Sequence, residues 1–178
     1  MNVWFDIDGV LADFEQYFLK YLNLPNHHPT EWKDERFVNN MHRVAYDHDF
    51  WLEIPPIFHG SVLSKLPVKV AGYCTARNCD DRIISKWLKQ HGFPAAELIN
   101  VGLRGSKGQV LKEQKCDIMV DDAFHNYIDI NSHGVLCYLM SRPHNLKEEV
   151  GKFRVDSIFQ FIDKVQLIYN LKNARSSD

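Results

Sequence analysis

The stretch NVWFDIDG, residues 2–9, begins with an apolar, β-prone run and then turns abruptly acidic. Such a run is typical of a strand in a parallel sheet, which is covered on both faces and therefore apolar throughout. Asp6 and Asp8 follow it directly, with Gly9 behind them. We therefore predict a buried strand that delivers both carboxylates at its carboxyl end.

Beyond this strand, strand-like apolar segments alternate with amphipathic, helix-like ones. Further strands are predicted at 68–74, 97–101, 116–120 and 134–140, and helices at 13–23, 80–91, 106–114 and 157–171. Pro25 and Gly92 would end two of the helices. This alternation predicts an α/β domain with a Rossmann-like, mainly parallel sheet, whose ligands bind at the carboxyl ends of the strands.

The segment between the first two strands differs in composition, being rich in histidine and aromatic residues. Its best pattern is one or two helices beginning near Thr30. We interpret it as a small helical cap inserted after the first strand, which would close over the site and exclude water. The predicted organisation is a core of residues 1–13 and 61–178 with a cap of residues 14–60.

Composition limits the classes of protein to which this chain can belong. Of its 178 residues, 45% are apolar and 25% charged, which suits one folded domain and excludes a wholly disordered chain. The formal net charge of −2, without a basic run, argues against duplex nucleic acid as a partner.

Since neither a signal peptide nor a membrane span is evident, we expect a cytoplasmic protein with reduced cysteines and no membrane partner. Most histidines, including His27 and His28, are expected at the surface, and the tail 173–178 to be disordered.

Polar side chains follow three of the predicted strands. Asp6 and Asp8 follow the first, Thr75 the second, and Asp121 and Asp122 the strand at 116–120. In a parallel sheet these ends share one edge, so four carboxylates would meet in one crevice and repel one another unless a cation lay among them. Oxygen ligands without softer donors suit Mg²⁺, which we predict as the cofactor.

The spacing Asp-x-Asp-Gly suggests covalent catalysis. Gly9 would bend the chain, so that one carboxylate could attack while the other reached a leaving oxygen. A carboxylate nucleophile can form an aspartyl phosphate, and a second carboxyl can protonate the leaving group and then activate water. Thr75, the backbone amides after it and Lys107, each near a predicted helix start, could bind the phosphoryl oxygens.

Four motifs together resemble the haloacid dehalogenase-like phosphatase superfamily. DIDGVLAD, GYCTAR, GSKG and DIMVDD are similar to its motifs I to IV, in the right order and across residues 1–126. The resemblance implies a haloacid dehalogenase-like core and a Mg²⁺ ion that the main-chain carbonyl of Asp8 also helps to hold. It implies roles for seven residues: Asp6 as nucleophile and metal ligand, Asp8 as general acid/base and metal ligand, Thr75, Ala76 and Lys107 as phosphate ligands, and Asp121 and Asp122 as metal ligands. Lys112 is an alternative to Lys107.

Within that superfamily, DGVLADFE and FWLEIPPIFHGSVLSKL are similar to segments of the 5′(3′)-deoxyribonucleotidases and their bacterial and phage relatives. The chain departs from them in having Thr75-Ala76-Arg77 where Thr-Ser-Pro is usual, and Ala123 where Arg follows the two acids. Arg77 could bind substrate or pair with Asp80 or Asp81.

The aromatic residues of the insertion permit two interpretations. They could form a small local core, or Phe14, Phe18 and Trp51 could contact a nucleobase or sugar. Likewise, the acids and Thr75, taken singly, could be ordinary helix caps and turn residues.

The favoured prediction is a Mg²⁺-dependent phosphomonoester hydrolase acting on a small-molecule partner, preferentially a (deoxy)nucleoside monophosphate. The alternatives are a small-metabolite phosphatase, a polynucleotide end phosphatase and a non-catalytic phosphate-binding or nucleotide-binding module. A homodimer is also left open.

Overall fold

The structure is a computed structural model that describes residues 1–24, 27, 29–32, 34–102 and 105–175. Pro25, His28 and the last three residues, for which the sequence predicts a helix end, a surface position and disorder, lie outside these ranges. Residues 173–175, predicted as disordered, belong instead to the last helix.

The described residues alternate between strands and helices as predicted. The strands are β1 (Val3–Phe5), β2 (Val70–Thr75), β3 (Glu97–Asn100), β4 (Ile118–Asp121), β5 (Leu136–Met140) and β6 (Arg154–Val155). The helices are α1 (Phe14–Tyr21), α2 (Glu35–Val38), α3 (His48–Glu53), α4 (Asp81–Gln90), α5 (Lys107–Glu113), α6 (Phe124–Ser132) and α7 (Ile158–Arg175). Short 3₁₀ turns lie at Met41–Arg43, Gly60–Lys65, Pro143–Asn145 and Gly151–Phe153.

The strands form a six-stranded sheet in the order β3-β2-β1-β4-β5-β6, and all their recorded pairings are parallel. This confirms the predicted Rossmann-like α/β fold. Strand β1 lies centrally between β2 and β4, so the carboxyl ends of these three strands are adjacent. The topology therefore brings together the acidic and hydroxyl residues that follow them.

The central strand is covered on both faces, as its continuous apolar run predicts. Val3 and Phe5 are fully buried in one apolar cluster, in which the Phe5 ring meets Phe161 of α7 edge to face at 5.5 Å between centroids. Trp4 points to the other face and packs with Met119 of β4 and a cluster that includes Cys74. These two packed layers fix the position of the residue that follows Phe5.

Outside the insertion, the sequence prediction lacks one α-helix and one β-strand of the described residues. Helix α6 begins at Phe124, its N-cap residue Ala123 offers no side-chain cap, and it buries little besides Ile130, so neither a start signal nor a strong apolar stripe marks it. Strand β6 is only two residues long.

The insertion after β1 contains three short helical segments after α1, rather than the one or two helices predicted from Thr30. Helices α2 and α3 begin at Glu35 and His48, where Asp34 and Asp47 accept hydrogen bonds from backbone N–H groups and so cap them. The interior of this segment is continuous with the main apolar cluster, because Phe18 and Phe50 belong to the same cluster as Phe5. A division into cap and core stays a prediction.

Within the described part of the chain, no helix has both the length and the apolar character that crossing a bilayer requires.

Close approach of α5 and α6 depends on Gly108. A Cβ added there would lie 2.6 Å from the backbone oxygen of Asp129 and would overlap the His133 ring. We expect Gly108→Ala to lower the free energy of unfolding by about 1–3 kcal/mol, because a backbone oxygen cannot move aside as a flexible side chain could. Gln109→Ala, at the next and exposed position of α5, should stay within about 0.5 kcal/mol. Urea unfolding of the two variants measures the difference, and equal stabilities would contradict this account of the contact.

Candidate active site

Asp6 stands at the end of β1 and is 5% exposed. Its backbone N–H donates to the Val120 carbonyl of β4 at 3.0 Å, which continues the sheet by one residue. Its Oδ1 accepts a 2.7 Å hydrogen bond from the N–H of Ile7. The side chain is therefore held at the sheet edge with one oxygen already bonded.

Lys107, the first residue of α5, reaches into this edge and is only 2% exposed. Its Nζ lies 2.9 Å from Asp6 Oδ1 and donates to Asp121 Oδ2 at 2.7 Å. Burial opposes its charge, but the carboxylates of Asp121 and Asp6 outweigh burial and raise the pKa of Lys107. Lys112 is exposed on the same helix, so the structure places Lys107 and not Lys112 beside the acids.

Three buried carboxylates meet at this point. Asp6, Asp121 and Asp122 each offer an oxygen, and these oxygens lie within 4.8 Å of one another. Burial, followed by repulsion from Asp121, raises the pKa of Asp6 well above its usual value. Burial also raises the pKa of Asp122 from 3.8 to about 7, against the attraction of His144. Lys107 thus offsets only part of the negative charge that these three residues would carry when ionised.

Other residues fix the two acids that follow β4. The Asp121 carboxylate accepts from the N–H of Ala123 at 2.9 Å and from Asn126 Nδ2 at 3.1 Å. His144 Nε2 lies 3.5 Å from the Asp122 carboxylate, and Asn145 Nδ2 donates to the Asp122 carbonyl at 2.7 Å. Both carboxylates are therefore held in place by the protein itself.

His144 also lies 3.2 Å from Glu15 of α1, so it connects the beginning of that helix to the acidic cluster. Burial acts against its charged form, but the hydrogen bond with Glu15 and the Asp122 carboxylate raise the pKa of His144.

Gly9 allows the loop after β1 to pack on the acidic cluster. Its φ is +71°, and any Cβ at this position would overlap the Asp122 carboxylate. Arg142 Nε donates to the Gly9 carbonyl at 2.6 Å and holds the loop from the other side. The glycine of the Asp-x-Asp-Gly motif is thus required by both backbone conformation and space.

Thr75 is the last residue of β2 and is 1% exposed. Phe5 pairs with Tyr73 across the sheet, so Thr75 lies on the neighbouring strand close to the level of Asp6. Ala76 follows it and is half-buried. Both are at the edge that the sequence predicts for them, whereas their binding of phosphate stays a prediction.

Arg77 pairs with neither Asp80 nor Asp81 but with Asp8, 69 residues away. Its Nε lies 3.1 and 3.0 Å from the two Asp8 oxygens, and its Nη2 donates to Oδ1 at 2.7 Å. Asp80 instead caps α4 and pairs with Arg82. The Asp8 side chain is 27% exposed, so part of it remains accessible while it is held by Arg77.

Several aromatic residues of the insertion, including Phe18, Phe50 and Trp51, form a local core, whereas Trp32 and Tyr46 are exposed. Phe18 and Trp51 are 0% and 1% exposed, and neither offers a surface to a ligand in this conformation. Phe14 is half-buried and stacks on Trp51 at 5.7 Å between ring centroids. Of the three aromatic residues predicted to contact substrate, Phe14 alone keeps accessible surface.

Sequence reasoning missed the supporting residues of the site. Asp129 of α6 accepts from the Ser106 hydroxyl and from the N–H of Gly108 at 2.8 Å, and so holds the beginning of α5 on both sides of Lys107. Asn126 lies one turn earlier on the same unpredicted helix. If a helix had been predicted after Asp121 and Asp122, its periodicity would have indicated Asn126 and Asp129 as candidate site residues.

Two comparisons with known proteins gave no relative: no protein-family model matches this chain, and neither does any curated protein. Among solved structures, an L-2-haloacid dehalogenase is similar, with a TM-score of 0.59 over 92% of this chain and 98% of that chain, at 10% sequence identity. At this identity the likeness concerns the fold. The protein has a Rossmann-like α/β fold of the haloacid dehalogenase type.

Proposed function

We propose that this protein is a magnesium-dependent phosphomonoester hydrolase that acts on nucleoside monophosphates through an aspartyl phosphate on Asp6. The observation that carries the proposal is the cluster of Asp6, Asp121 and Asp122, in which Lys107 contacts Asp6 and Asp121. Asp8 follows Asp6 by two residues, and its side chain is 27% exposed. A hydrolase is in keeping with the fold, and the phosphatase chemistry rests on these residues.

The donor set suits a hard divalent cation. Three buried carboxylates have oxygens within 4.8 Å of one another, and burial raises the pKa values of two of them. Lys107 offsets only part of the negative charge of the three. Asp6, Asp121 and Asp122 would hold Mg²⁺, with the main-chain carbonyl of Asp8 that the motif resemblance implies. When bound, the ion would neutralise charge on the phosphoryl group and on these acids.

Asp6 is placed to attack phosphorus. Because its Oδ1 is bonded to Ile7 and Lys107, Oδ2 is the oxygen that attacks in this proposal. The bond from phosphorus to the leaving oxygen breaks with its electron pair on that oxygen, and Asp8 gives it a proton. Lys107 and Thr75 bind the remaining phosphoryl oxygens.

The second half of the reaction returns the enzyme to its first state. Asp8, now ionised, takes a proton from a water molecule that attacks the phosphorus of the aspartyl phosphate. The bond from phosphorus to the Asp6 oxygen breaks, which releases inorganic phosphate and restores the carboxylate. Loss of halide from a haloacid needs no proton donor, so the presence of Asp8 favours phosphate esters over that substrate class.

A neighbouring cleft supports a nucleoside as the leaving group. It has a volume of about 540 Å³, within the usual range for small-molecule sites, and its lining includes Trp32, Phe124, His125 and His144. His144 also contacts Asp122, so the cleft adjoins the acidic cluster. Trp32 is 50% exposed and could stack on a base. The similarity of two segments to deoxyribonucleotidases supports the same substrate class.

A phosphate-release screen with and without Mg²⁺ tests the function. Nucleoside monophosphates should be hydrolysed faster than sugar phosphates, phosphoamino acids and phosphate-ended oligonucleotides, and a 2-haloacid should release no halide.

Asp6→Asn should lower turnover by ~10³-fold or more and leave the circular dichroism spectrum unchanged. Activity retained in Asp6→Asn, or independent of Mg²⁺, would refute the mechanism; preference for another phosphate ester would refute the substrate class alone.

The two lysines of α5 provide a matched pair. Lys107→Ala should reduce kcat/KM by roughly 10²-fold or more, because it removes the cation nearest the nucleophile. Lys112→Ala, on the exposed side of the same helix, should stay within about twofold of the wild type. Steady-state kinetics on one nucleotide gives both values, and equal effects of the two substitutions would contradict the role of Lys107.

Asp122→Asn tests the metal site through stability. The folded protein binds the Asp122 proton more tightly than the unfolded chain does, because its pKa is raised from 3.8 to about 7. Metal-free wild type should therefore lose stability as the pH rises from about 4 to about 7. At pH 8 in chelator, Asp122→Asn should be more stable by about 1 kcal/mol or more, or about 3 °C in Tm.

Adding Mg²⁺ at pH 8 should reverse this order. The ion should raise the Tm of the wild type, because a ligand that binds only the folded state stabilises that state. It should have little effect on Asp122→Asn, which lacks one of the proposed metal ligands. Differential scanning fluorimetry measures all four states, with Asp156→Asn as a control for an aspartate outside the cluster. An equal response of wild type and Asp122→Asn to Mg²⁺ would contradict the site.

A further inference from the structure

The contact between Arg77 and Asp8 leaves the two carboxylate oxygens in different surroundings. Oδ1 accepts from both Nε and Nη2, whereas Oδ2 has only the shared contact with Nε. The Asp8 side chain is 27% exposed and the Arg77 side chain is 0% exposed. The orientation of the carboxylate is thus set by a buried side chain, while part of the Asp8 side chain stays accessible.

Arg77 is itself held by two indole rings. Its guanidinium carbon lies 5.4 Å from the ring centroid of Trp51 and 5.1 Å from that of Trp87, at the distance of a cation–π contact. Trp51 donates from Nε1 to the Val44 carbonyl at 2.8 Å, and Trp87 donates to the Ile54 carbonyl at 2.8 Å. With both rings anchored in this way, the guanidinium has little freedom to swing toward a ligand.

We propose that Arg77 is a positioning residue that orients the Asp8 carboxylate for proton transfer and does not contact the substrate. This inference rests on the proposed function, in which Asp8 protonates the leaving oxygen. It differs from the substrate-binding role that the sequence suggested for Arg77, because a side chain with no exposed surface cannot reach a ligand without leaving its two rings. The planar guanidinium fork suits the role, since it fixes the rotation of a carboxylate as well as its position.

The test compares leaving groups that differ in their need for a proton. Departure of an alkoxide from a nucleoside monophosphate needs Asp8, whereas p-nitrophenolate departs without a proton. We expect Arg77→Met to lower kcat/KM by about 10-fold to 100-fold on the nucleotide and by less than about threefold on p-nitrophenyl phosphate. Since kcat/KM reports the steps up to phosphoryl transfer, the later hydrolysis does not mask the difference. Equal losses on the two substrates would overturn the proposal.

A double-mutant cycle with Asp8→Asn separates action through Asp8 from direct contact. If Arg77 acts only by orienting Asp8, adding Arg77→Met to Asp8→Asn should change kcat/KM on the nucleotide by less than about threefold. Multiplicative losses would mean that Arg77 contributes by itself, for example by contact with substrate, and would also overturn the proposal.

A matched control and a second variant protect the test from effects on folding. Arg82 forms the same kind of forked pair with Asp80, but its side chain is 90% exposed and lies outside the site. Arg82→Met should remain within about twofold of wild type on both substrates. Arg77→Lys keeps the charge without the fork, so it should show the same selective loss even if Arg77→Met fails to fold.

The two hypotheses fail in different ways. If Asp6→Asn retains activity or the wild type hydrolyses no phosphate ester, the proposed function fails and the role of Arg77 falls with it. If Asp6→Asn is inactive but the Arg77 variants lose activity equally on both substrates, the role of Arg77 alone is refuted.

Discussion

Repulsion among buried carboxylates is the constraint on which the arrangement of the site depends. Asp6, Asp121 and Asp122 lie at adjacent strand ends with their oxygens within 4.8 Å of one another, where little water can screen them. Burying such groups is costly unless each has a cation or several hydrogen-bond donors. The fold supplies Lys107 between Asp6 and Asp121, N–H donors to both of these carboxylates, and His144 beside Asp122. Burial still raises the pKa values of Asp6 and Asp122. Buried carboxylates with raised pKa values are typical of functional sites, which is the reason for proposing one here.

Several local features of the chain fit around this acidic cluster. Gly9 leaves room for the Asp122 carboxylate, and Gly108 lets α5 approach α6 so that Lys107 begins its helix beside the acids. Asp129 then satisfies the hydroxyl of Ser106 and the N–H of Gly108. Gly9 thus makes room for an acid, and the features at the beginning of α5 bring positive charge toward the sheet edge.

The sequence predicts the sheet and the acidic edge because these depend on local pattern. Five of the six strands are marked by apolar runs, and polar residues directly after three of them give the composition of the cluster. Helix α6 has no such mark, since FHNYIDINS is capped by no side chain and buries mainly Ile130. The pairing of Arg77 with Asp8 was equally hidden, because it joins two loops that only the order of β1 and β2 brings together. The burial of Phe18 and Trp51 depends on how α1 and α3 pack, and composition leaves that open.

The contacts of Arg77 give the aromatic residues of the insertion a second part in the site. Trp51 belongs to α3, Trp87 belongs to α4, and the guanidinium between their backbone-anchored rings is bound to Asp8. Phe14 of α1 stacks on Trp51, so three separate helices act together on the position of one carboxylate. A change in how the insertion packs would therefore alter the position of the Asp8 carboxylate through Arg77. No contact between a ligand and an aromatic ring would be needed for this effect. In the proposed reaction, the insertion would therefore support the proton donor Asp8 through Trp51.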